Sequence, residues 1–413
     1  MVHPQSDPQS DPQDAGTDAP VTVLAVADSD SYLKWACATL EQLGGRDDTT
    51  FERSAVVVRT PLVPTPSQVA AAVAGTSIFR PAVVGLGQLR DLVRQSSPDV
   101  VLVAATGPVA ELVARVVVDA AGPRRPALLT GLPGMALPAT ELGTAWRRWC
   151  DAFVVHGRRE VTAYQEAFAE QGVAPRVVLS RLPFLEARTC PRGTPVNRLV
   201  FAPQSLVPRS RDQRVALLDG LAAIAADGFD VVVKLRARAG ERQTHNEAIP
   251  FDDLWEAEHA RLGHPRSALR FVDGPMAEWL DSGTALVTVS STAAFESLAL
   301  GLPTVLIDDF GISDELLNSP FADSACMVSL ADVPETLRAG GPTPDAGWLE
   351  ENYLHTEPST LPAVVRELAD DRRAGRLPDL RTVRPVSWTR YSRTVVRSML
   401  PDSVARRLVR PAR

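Results

Sequence analysis

The chain has 413 residues, too many for one ordinary hydrophobic core, so two domains are expected. Its 45% hydrophobic and 23% charged residues are typical of a globular enzyme and exclude a fibrous protein. The net charge of −7 argues against a general nucleic-acid binder. The four cysteines lie far apart, with no CxxC and no neighbouring His, which indicates neither a zinc site nor a disulfide framework.

The N-terminal segment is a polar repeat of Gln-Ser-Asp-Pro and is predicted to be a flexible tail over residues 1–20. It lacks the basic and apolar regions of a signal peptide. No apolar run reaches the ~20 residues that span a bilayer, so a cytoplasmic protein is expected. Of the 43 basic residues only Lys34 and Lys234 are lysines, a bias that a GC-rich genome explains.

Strands and helices alternate from residue 21 onward. Strands are predicted at 21–27, 55–58, 82–84, 100–104, 127–129 and 152–155, and helices at 32–43, 66–74, 86–95, 109–120 and 158–171. Alternation of this kind predicts a doubly wound parallel sheet with helices on both faces. We therefore expect a first Rossmann-like domain over residues 21–182.

A Pro-rich stretch at 183–197 is predicted to be an interdomain linker. The pattern then restarts, with strands at 198–202, 230–235, 269–272, 285–289 and 304–307 and helices at 211–227 and 293–300. A second Rossmann-like domain is expected over 198–365, followed by a C-terminal helix and basic tail over 366–413.

Residues 381–413 contain nine arginines and one acidic residue. One interpretation is a final helix that returns to the first domain and leaves a solvated basic face. The other is a patch that holds the protein at anionic lipid.

Two carboxylates follow the first predicted strand. Asp28 and Asp30, with Lys34 after them, come where a parallel strand ends, and ligands of open α/β sheets bind at that edge. Either carboxylate can serve as a general base. Alternatively, Asp28 caps the helix, and Asp30 pairs with Lys34 at i, i+4.

Gly131 and Gly134, with two prolines, follow the predicted strand at 127–129. Such a loop favours unusual backbone angles and close approach to a neighbour, as in a cleft loop or a rigid structural loop. It lacks GxGxxG spacing, so a dinucleotide fingerprint is not indicated. His156 ends a later strand, either as a crevice residue or as a strand-end cap.

Cations end the predicted strand at 230–235. Lys234 and Arg236 are two residues apart and therefore lie on one face of the strand, where they suit a phosphate. Gln204 follows the strand at 198–202, in a loop at the same predicted sheet edge.

The segment 285–308 is the most informative one. A buried strand leads into Ser290, Ser291 and Thr292, called here the hydroxyl turn, and then into a short helix that Gly301 and Pro303 terminate. Hydroxyls, backbone N–H groups and the helix dipole predict an anion site. The alternative is an N-capped βα unit without a ligand.

The hydroxyl turn, Lys234 and the turn at Asp28 and Asp30 together resemble GT-B glycosyltransferases over residues 21–370. The chain is similar to a glycosyltransferase family common in actinobacteria and, distantly, to capsule and polysialic-acid transferases. The resemblance implies two Rossmann-like domains facing a cleft, an acceptor domain followed by a donor domain, and transfer without metal or cofactor.

The resemblance also implies residue roles. Asp28 or Asp30 acts as base, and Lys234 with the hydroxyl turn holds the leaving phosphate. Glu296 contacts a ribose hydroxyl, and Gln204 contacts donor phosphate or the cleft. His264, in a His-Pro dipeptide similar to that of transferases using CMP-activated sugars, is implied as a donor contact, although it follows a charged helix rather than a strand.

The expected function is sugar transfer from a nucleotide-sugar donor to a glycan, lipid-linked or small-molecule acceptor in cell-envelope polysaccharide synthesis, in the cytoplasm or at the inner membrane face. Three alternatives remain. They are a UDP-sugar 2-epimerase of the same fold, a glycerophosphotransferase of cell-wall polymer synthesis, and an inactive nucleotide-sugar-binding relative.

Overall fold

A computed structural model describes residues 19–44, 49–183, 185, 189–191, 193–204, 207–235, 247 and 249–399. Most of the predicted tail at 1–20 and the last basic residues at 400–413 lie outside these ranges. Within them the chain forms two parallel sheets, each with helices packed on both faces.

The first sheet contains seven strands. They are β1 (Val21–Ala27), β2 (Phe51–Val58), β3 (Ala82–Val84), β4 (Val100–Ala104), β5 (Ala127–Gly131), β6 (Ala152–Val155) and β7 (Arg176–Leu179). The intervening helices are α1 (Asp30–Glu41), α2 (Pro66–Val73), α3 (Leu86–Ser96), α4 (Gly107–Ala121), α5 (Glu141–Ala145) and α6 (Arg158–Glu170). The strand order is β3-β2-β1-β4-β5-β6-β7, and every pairing is parallel.

Side chains of β1 alternate between two cores. Val23 and Ala25 face the core that α1 and α2 cover, whereas Leu24 and Val26 face the core that α3 and α4 cover. Because both faces are buried, β1 is a continuous apolar run rather than an alternating one.

The second sheet contains six strands. They are β8 (Arg198–Phe201), β9 (Asp230–Lys234), β10 (Arg270–Val272), β11 (Thr284–Thr288), β12 (Thr304–Ile307) and β13 (Met327–Val328). The accompanying helices are α7 (Arg211–Ala226), α8 (Phe251–Glu258), α9 (Ala293–Ala299), α10 (Val333–Arg338) and α11 (Ala346–Glu351). The strand order is β10-β9-β8-β11-β12-β13, again parallel throughout.

The chain finally returns to the first domain. In α12 (Leu361–Arg373), Leu361, Val364 and Val365 pack into the core of the first sheet, so residues 361–365 lie with the first domain rather than in the second, where the sequence predicts them. The next helix, α13 (Trp388–Met399), lies against α4. The described part of the basic segment thus returns to the first domain.

The predicted α/β fold of two doubly wound parallel sheets is confirmed. The short elements β7, β13, α5, α10 and α11 have no counterpart in the prediction, and neither has the longer α12. A strand of two to four residues carries too little periodicity to be recognised. Within the described ranges no helix combines the length and apolar character that crossing a bilayer requires.

Candidate functional site

The carboxyl ends of the two sheets face each other across a cleft of about 690 Å³. Its first wall comes from the first domain: Asp30, Ser31, Tyr32, Lys34, Ser67, Gln68, Ala71, Ala72, Leu132, Pro133, Met135 and Leu137. Its second wall comes from the second domain: Ala202, Pro203, Gln204, Lys234, Asp273, Gly274, Pro275, Met276, Ser290, Ser291, Thr292, Ala293, Glu296 and Leu317. This is the edge at which open parallel sheets bind ligands.

Eight of the predicted site residues lie in this cleft. They are Asp30, Lys34, Gln204, Lys234, Ser290, Ser291, Thr292 and Glu296. They come from segments up to 266 positions apart in the chain (296 − 30), so the fold gathers them into one place. Arg236 lies outside the described residues.

The hydroxyl turn is held by the strands beneath it. Thr288 Oγ1 donates a hydrogen bond to Ala202 O (2.7 Å) and accepts one from Ser291 N (3.0 Å). Ser291 Oγ in turn accepts from Ala293 N (3.3 Å). These bonds tie the turn to the end of β8 and fix its backbone. The following helix, α9, has only seven residues, so hydroxyls rather than a long helix dipole characterise this turn.

Ser290 is the unusual member of the turn. The residue is 1% exposed, and its Oγ has no hydrogen-bond partner in the described part of the chain. A buried hydroxyl without a partner costs about 1–3 kcal/mol by mutational measures, so most are satisfied. Because Ser290 lines the cleft, a bound acceptor of hydrogen bonds would remove that cost.

Lys234 brings a cation to the same wall. It ends β9 directly after three buried valines and is itself half-buried. Its strand neighbours in register are β8 and β10, which place Gln204 and Asp273 at the same edge. A compact ammonium group beside a row of hydroxyls suits a phosphate.

The first wall combines a carboxylate with apolar surface. Asp30 is the first residue of α1, and Lys34 lies one helical turn further along the same face. On the same wall, the cleft loop, defined here as residues 132–138, contributes Leu132, Met135 and Leu137. The wall can therefore hold a molecule that carries both a hydroxyl and an apolar part.

Asp28 is not in the cleft. It is 0% exposed, and its carboxylate accepts hydrogen bonds from Ser29 Oγ (3.0 Å) and from Thr106 N (3.1 Å) and Oγ1. Burial raises the pKa of Asp28, and the bonds from Thr106 and Ser29 oppose that rise. The residue joins the ends of β1 and β4 and does not line the cleft. It does not cap α1 either, because the N-cap of that helix is Ser29.

His264 lies at the opposite edge of the second sheet. The His-Pro dipeptide precedes β10, and in a parallel sheet the residues before a strand lie at the amino edge, away from the cleft. Its Nε2 is 2.7 Å from Asp219 Oδ1, and its ring stacks on Trp255 at 6.2 Å. The structure therefore does not bring His264 together with the donor-site candidates.

Gly131 and Gly134, predicted as cleft residues, are not among the residues that line the cleft, and they have different neighbours. A Cβ on Gly131 would lie 2.8 Å from the Trp35 ring, so this glycine serves core packing. Gly134 has φ +115°, and a Cβ there would lie 2.9 Å from Thr292 Cγ2. Gly134 thus marks the point where the cleft loop touches the hydroxyl turn.

His156 is a buried strand-end residue. Trp35 Nε1 donates to His156 Nε2 (2.9 Å), so the ring proton is on Nδ1, which donates to Ser180 O (3.0 Å). Burial lowers the pKa of His156 to about 4. The residue is therefore neutral at pH 7 and has a structural role.

Several cleft residues were missed from the sequence. Ser67 and Gln68 belong to α2, whose Thr65 and Gln68 form a capping box. The loop from Asp273 to Met276 follows β10, where an Asp-Gly-Pro signal marks a strand end that reasoning from sequence could have used. Among the described residues no cluster of three or more His, Cys, Asp or Glu is arranged to hold a metal ion.

Comparison with protein families matches residues 23–368 to the family described as "Putative glycosyltransferase (DUF6716)". No curated protein matches the sequence. Among solved structures, a "putative UDP-N-acetylglucosamine 2-epimerase" from Listeria monocytogenes aligns with a TM-score of 0.56 at 11% identity, over 87% of this chain and 99% of its own.

Two further structures align over most of this chain. The S. aureus MnaA–UDP structure aligns with a TM-score of 0.50 at 8% identity, over 86% of this chain and 98% of its own. A UDP-glucosyltransferase from Polygonum tinctorium aligns with a TM-score of 0.45 at 12% identity, over 94% and 99%. The alignments with TM-scores of 0.56 and 0.50 show the fold alone, which is the GT-B arrangement of two Rossmann-like domains facing a cleft.

Proposed function

We propose that this chain, which belongs to the family described as "Putative glycosyltransferase (DUF6716)", moves a sugar from a nucleotide-sugar donor to a hydroxyl of an acceptor. One observation carries the proposal. A single cleft has a carboxylate, Asp30, on its first wall, and a cation with a buried, unpartnered hydroxyl, Lys234 and Ser290, on its second.

In this proposal the donor lies on the second wall. Lys234 and the hydroxyl turn bind its phosphate, and Glu296 binds a ribose hydroxyl. Gln204 lies beside the phosphate. The S. aureus protein of the same fold has UDP in its structure, which makes a uridine nucleotide the first donor to test. The remote position of His264 gives no support to a CMP-activated sugar.

The reaction is a displacement at the anomeric carbon. The acceptor oxygen forms a bond to that carbon while the bond from carbon to the donor phosphate oxygen breaks. Asp30 takes the proton of the acceptor hydroxyl, and the departing phosphate keeps the electron pair. Lys234 and the hydroxyls stabilise the negative charge that develops there, which is the task that a metal ion performs in other transferases.

The acceptor lies on the first wall, near Asp30. The apolar side chains of the cleft loop support an acceptor with an apolar part, such as a lipid-linked glycan of the cell envelope. A fully polar oligosaccharide would leave Leu132, Met135 and Leu137 without apolar contacts.

A peripheral membrane contact through α13 is part of the same proposal. Its exposed side chains include Trp388 (58%), Val396 (52%) and Met399 (70%), and the helix has three arginines and no acidic residue. Exposed apolar groups among cations are typical of helices that lie on anionic bilayers. We expect vesicles containing phosphatidylglycerol to bind the full chain, and Arg390→Glu with Arg393→Glu to abolish binding. Equal binding to neutral vesicles would contradict this contact.

An epimerase is the second candidate. The aligned structure from Listeria monocytogenes, with a TM-score of 0.56, is described as a "putative UDP-N-acetylglucosamine 2-epimerase". An epimerase would invert the sugar at C2 without an acceptor. UDP-N-acetylglucosamine incubated alone with the protein would then yield the 2-epimer, which product analysis detects.

The proposal is tested by incubating UDP-, GDP-, TDP- and CMP-sugars, each labelled in the sugar, and CDP-glycerol labelled in the glycerol, with the protein and a membrane lipid extract. Label that moves into the extractable lipid or glycan fraction, with release of free nucleotide, supports sugar transfer. Epimerised donor indicates the second candidate, and transfer from CDP-glycerol indicates a glycerophosphotransferase. Nucleotide binding without turnover indicates an inactive relative.

A further inference from the structure

Glu160 is a buried carboxylate that the proposed reaction does not use. It lies in the first turn of α6 and is 0% exposed. Its Oε2 accepts hydrogen bonds from His156 N (2.8 Å) and Gly157 N (3.2 Å), which cap the helix. Because one oxygen suffices for capping, the other is available for a different contact.

That other oxygen joins the two domains. Glu160 Oε1 accepts from Ala136 N (2.8 Å), in the cleft loop, and from the hydroxyl of Tyr353, which follows α11 in the second domain. Ala136 N also lies 3.2 Å from the Tyr353 hydroxyl. Two donors, one from each domain, thus meet at one buried oxygen of Glu160.

Tyr353 extends this contact to the second wall. Its ring packs on Phe295 of α9 with centroids 4.4 Å apart, within the core of the second domain. Phe295 follows the hydroxyl turn by three residues. On the other side, the cleft loop touches that turn where Gly134 meets Thr292. The loop and the turn are therefore joined both directly and through Tyr353.

Other contacts at this junction are weaker. Arg158 forms ion pairs with Glu350 (2.7 Å) and Glu357 (2.8 Å), but the Arg158 side chain is 30% exposed. Exposed ion pairs contribute little because water screens them. A buried carboxylate with four donors contributes more and has one geometry. The Glu160–Tyr353 contact is therefore the specific element of the junction.

We propose that Glu160 and Tyr353 are positioning residues that keep the cleft loop in register with the hydroxyl turn, so that the two walls of the cleft hold a fixed spacing. Their effect on sugar transfer rests on the proposed function, whereas the coupling between the two walls does not.

The coupling is tested by hydrogen–deuterium exchange of the ligand-free full chain. Tyr353→Phe keeps the ring and removes only the hydroxyl. We expect exchange to quicken by about fivefold to tenfold both in residues 132–138 and in α9. The cleft loop loses the hydrogen bond from Ala136 N to the Tyr353 hydroxyl, and the ring at position 353, no longer anchored to Glu160, holds Phe295 of α9 less firmly. Glu160→Gln should have the same effect on both segments.

Tyr164→Phe is the matched control. The Tyr164 hydroxyl donates to Ala136 O (2.7 Å) from within the first domain, so its loss should quicken exchange in 132–138 and leave α9 unchanged. If Tyr353→Phe alters only one of the two segments, or neither, the proposed coupling is wrong. Circular dichroism shows whether each variant remains folded.

Kinetics separate positioning from general destabilisation. With a donor sugar that the protein turns over, Tyr353→Phe should lower kcat by about tenfold and leave the donor KM within about twofold, because misplaced walls impair alignment more than binding. Equal changes in both constants would indicate a purely structural role. A chain that transfers no sugar would refute the proposed function and leave the exchange result intact.

Discussion

The two sheets reverse their strand order at equivalent places, but only one of these places is open. In the first sheet the reversal lies between β1 and β4, where Asp28 and Thr106 bond to each other and close the edge. In the second sheet it lies between β8 and β11, where Ser290 Oγ has no partner among the described residues. Open α/β sheets bind ligands at such a reversal.

The difference shows how to separate a structural polar residue from a binding one. Asp28 and Ser290 are both buried at the carboxyl end of a central strand. The hydrogen bonds of Asp28 are supplied within the protein, so it stabilises the fold. Among the described residues, those of Ser290 are not, which is what the proposed function expects of a residue that contacts a ligand. Asp30, two residues after Asp28, leaves the closed edge and faces the cleft.

The largest effect is expected for Asp30→Asn. If Asp30 is the base, turnover should fall by about 10²–10⁴-fold, the usual contribution of general base catalysis, because the amide cannot take the proton. Nucleotide affinity should stay unchanged, since Asp30 lies on the other wall. Steady-state transfer and calorimetry measure the two effects. Full activity in the variant would exclude Asp30 as the base.

The pair Asp28→Ala and Ser290→Ala tests the comparison directly. Asp28→Ala leaves Thr106 and Ser29 without their acceptor and should lower the free energy of unfolding by about 3 kcal/mol. Ser290→Ala removes a hydroxyl that has no hydrogen-bond partner within the described ranges, and it should change the free energy of unfolding by less than about 0.5 kcal/mol. Denaturant unfolding measures both. Equal losses would mean that the two edges do not differ as described.

The buried His156 of the first domain predicts a pH dependence of stability. The pKa of His156 is about 4 in the folded protein and near the ordinary 6.5 in the unfolded chain. Below pH 6.5 the unfolded chain binds the proton that the folded protein excludes. The stability that the neutral ring provides is therefore present above pH 6.5 and is lost as the pH falls toward 4.

Between pH 6.5 and 5 the loss should be about 2 kcal/mol, at 1.36 kcal/mol for each pH unit. His156→Asn removes the titrating group. Between pH 6.5 and 5 the unfolding free energy of the variant should therefore fall by about 2 kcal/mol less than that of the wild type. A variant with the same pH dependence as the wild type would show that His156 does not titrate in this range.

The hydroxyl turn and Lys234 of the second wall were predictable from sequence, because each lies within a short continuous segment. A buried strand, three hydroxyl residues and a capped helix stand consecutively in residues 284–301, and Lys234 directly ends a valine-rich strand. Asp28 and Asp30 were not separable, since they are two residues apart and only the start of α1 decides which of them faces the cleft.

The contacts between the domains were not predictable. Glu160 and Tyr353 are 193 positions apart, and neither stands in a pattern that indicates the other. The return of α12 to the first core likewise depends on packing that no local signal reports. The His264-Pro265 dipeptide suggested a donor contact but did not indicate where His264 lies in the fold. Because it precedes β10, it lies at the amino edge of the second sheet, away from the cleft.

The central claim is that the second wall binds a nucleotide phosphate. Calorimetric titration of UDP, GDP, TDP, CMP and CDP into the wild type, Lys234→Ala and His264→Ala tests it most directly. We predict that one nucleotide binds the wild type at one site and that Lys234→Ala weakens it by about 10–100-fold, the value of a charged hydrogen bond. His264→Ala should bind as the wild type does. No binding by any of the five, or affinity that His264→Ala loses and Lys234→Ala keeps, would contradict the claim.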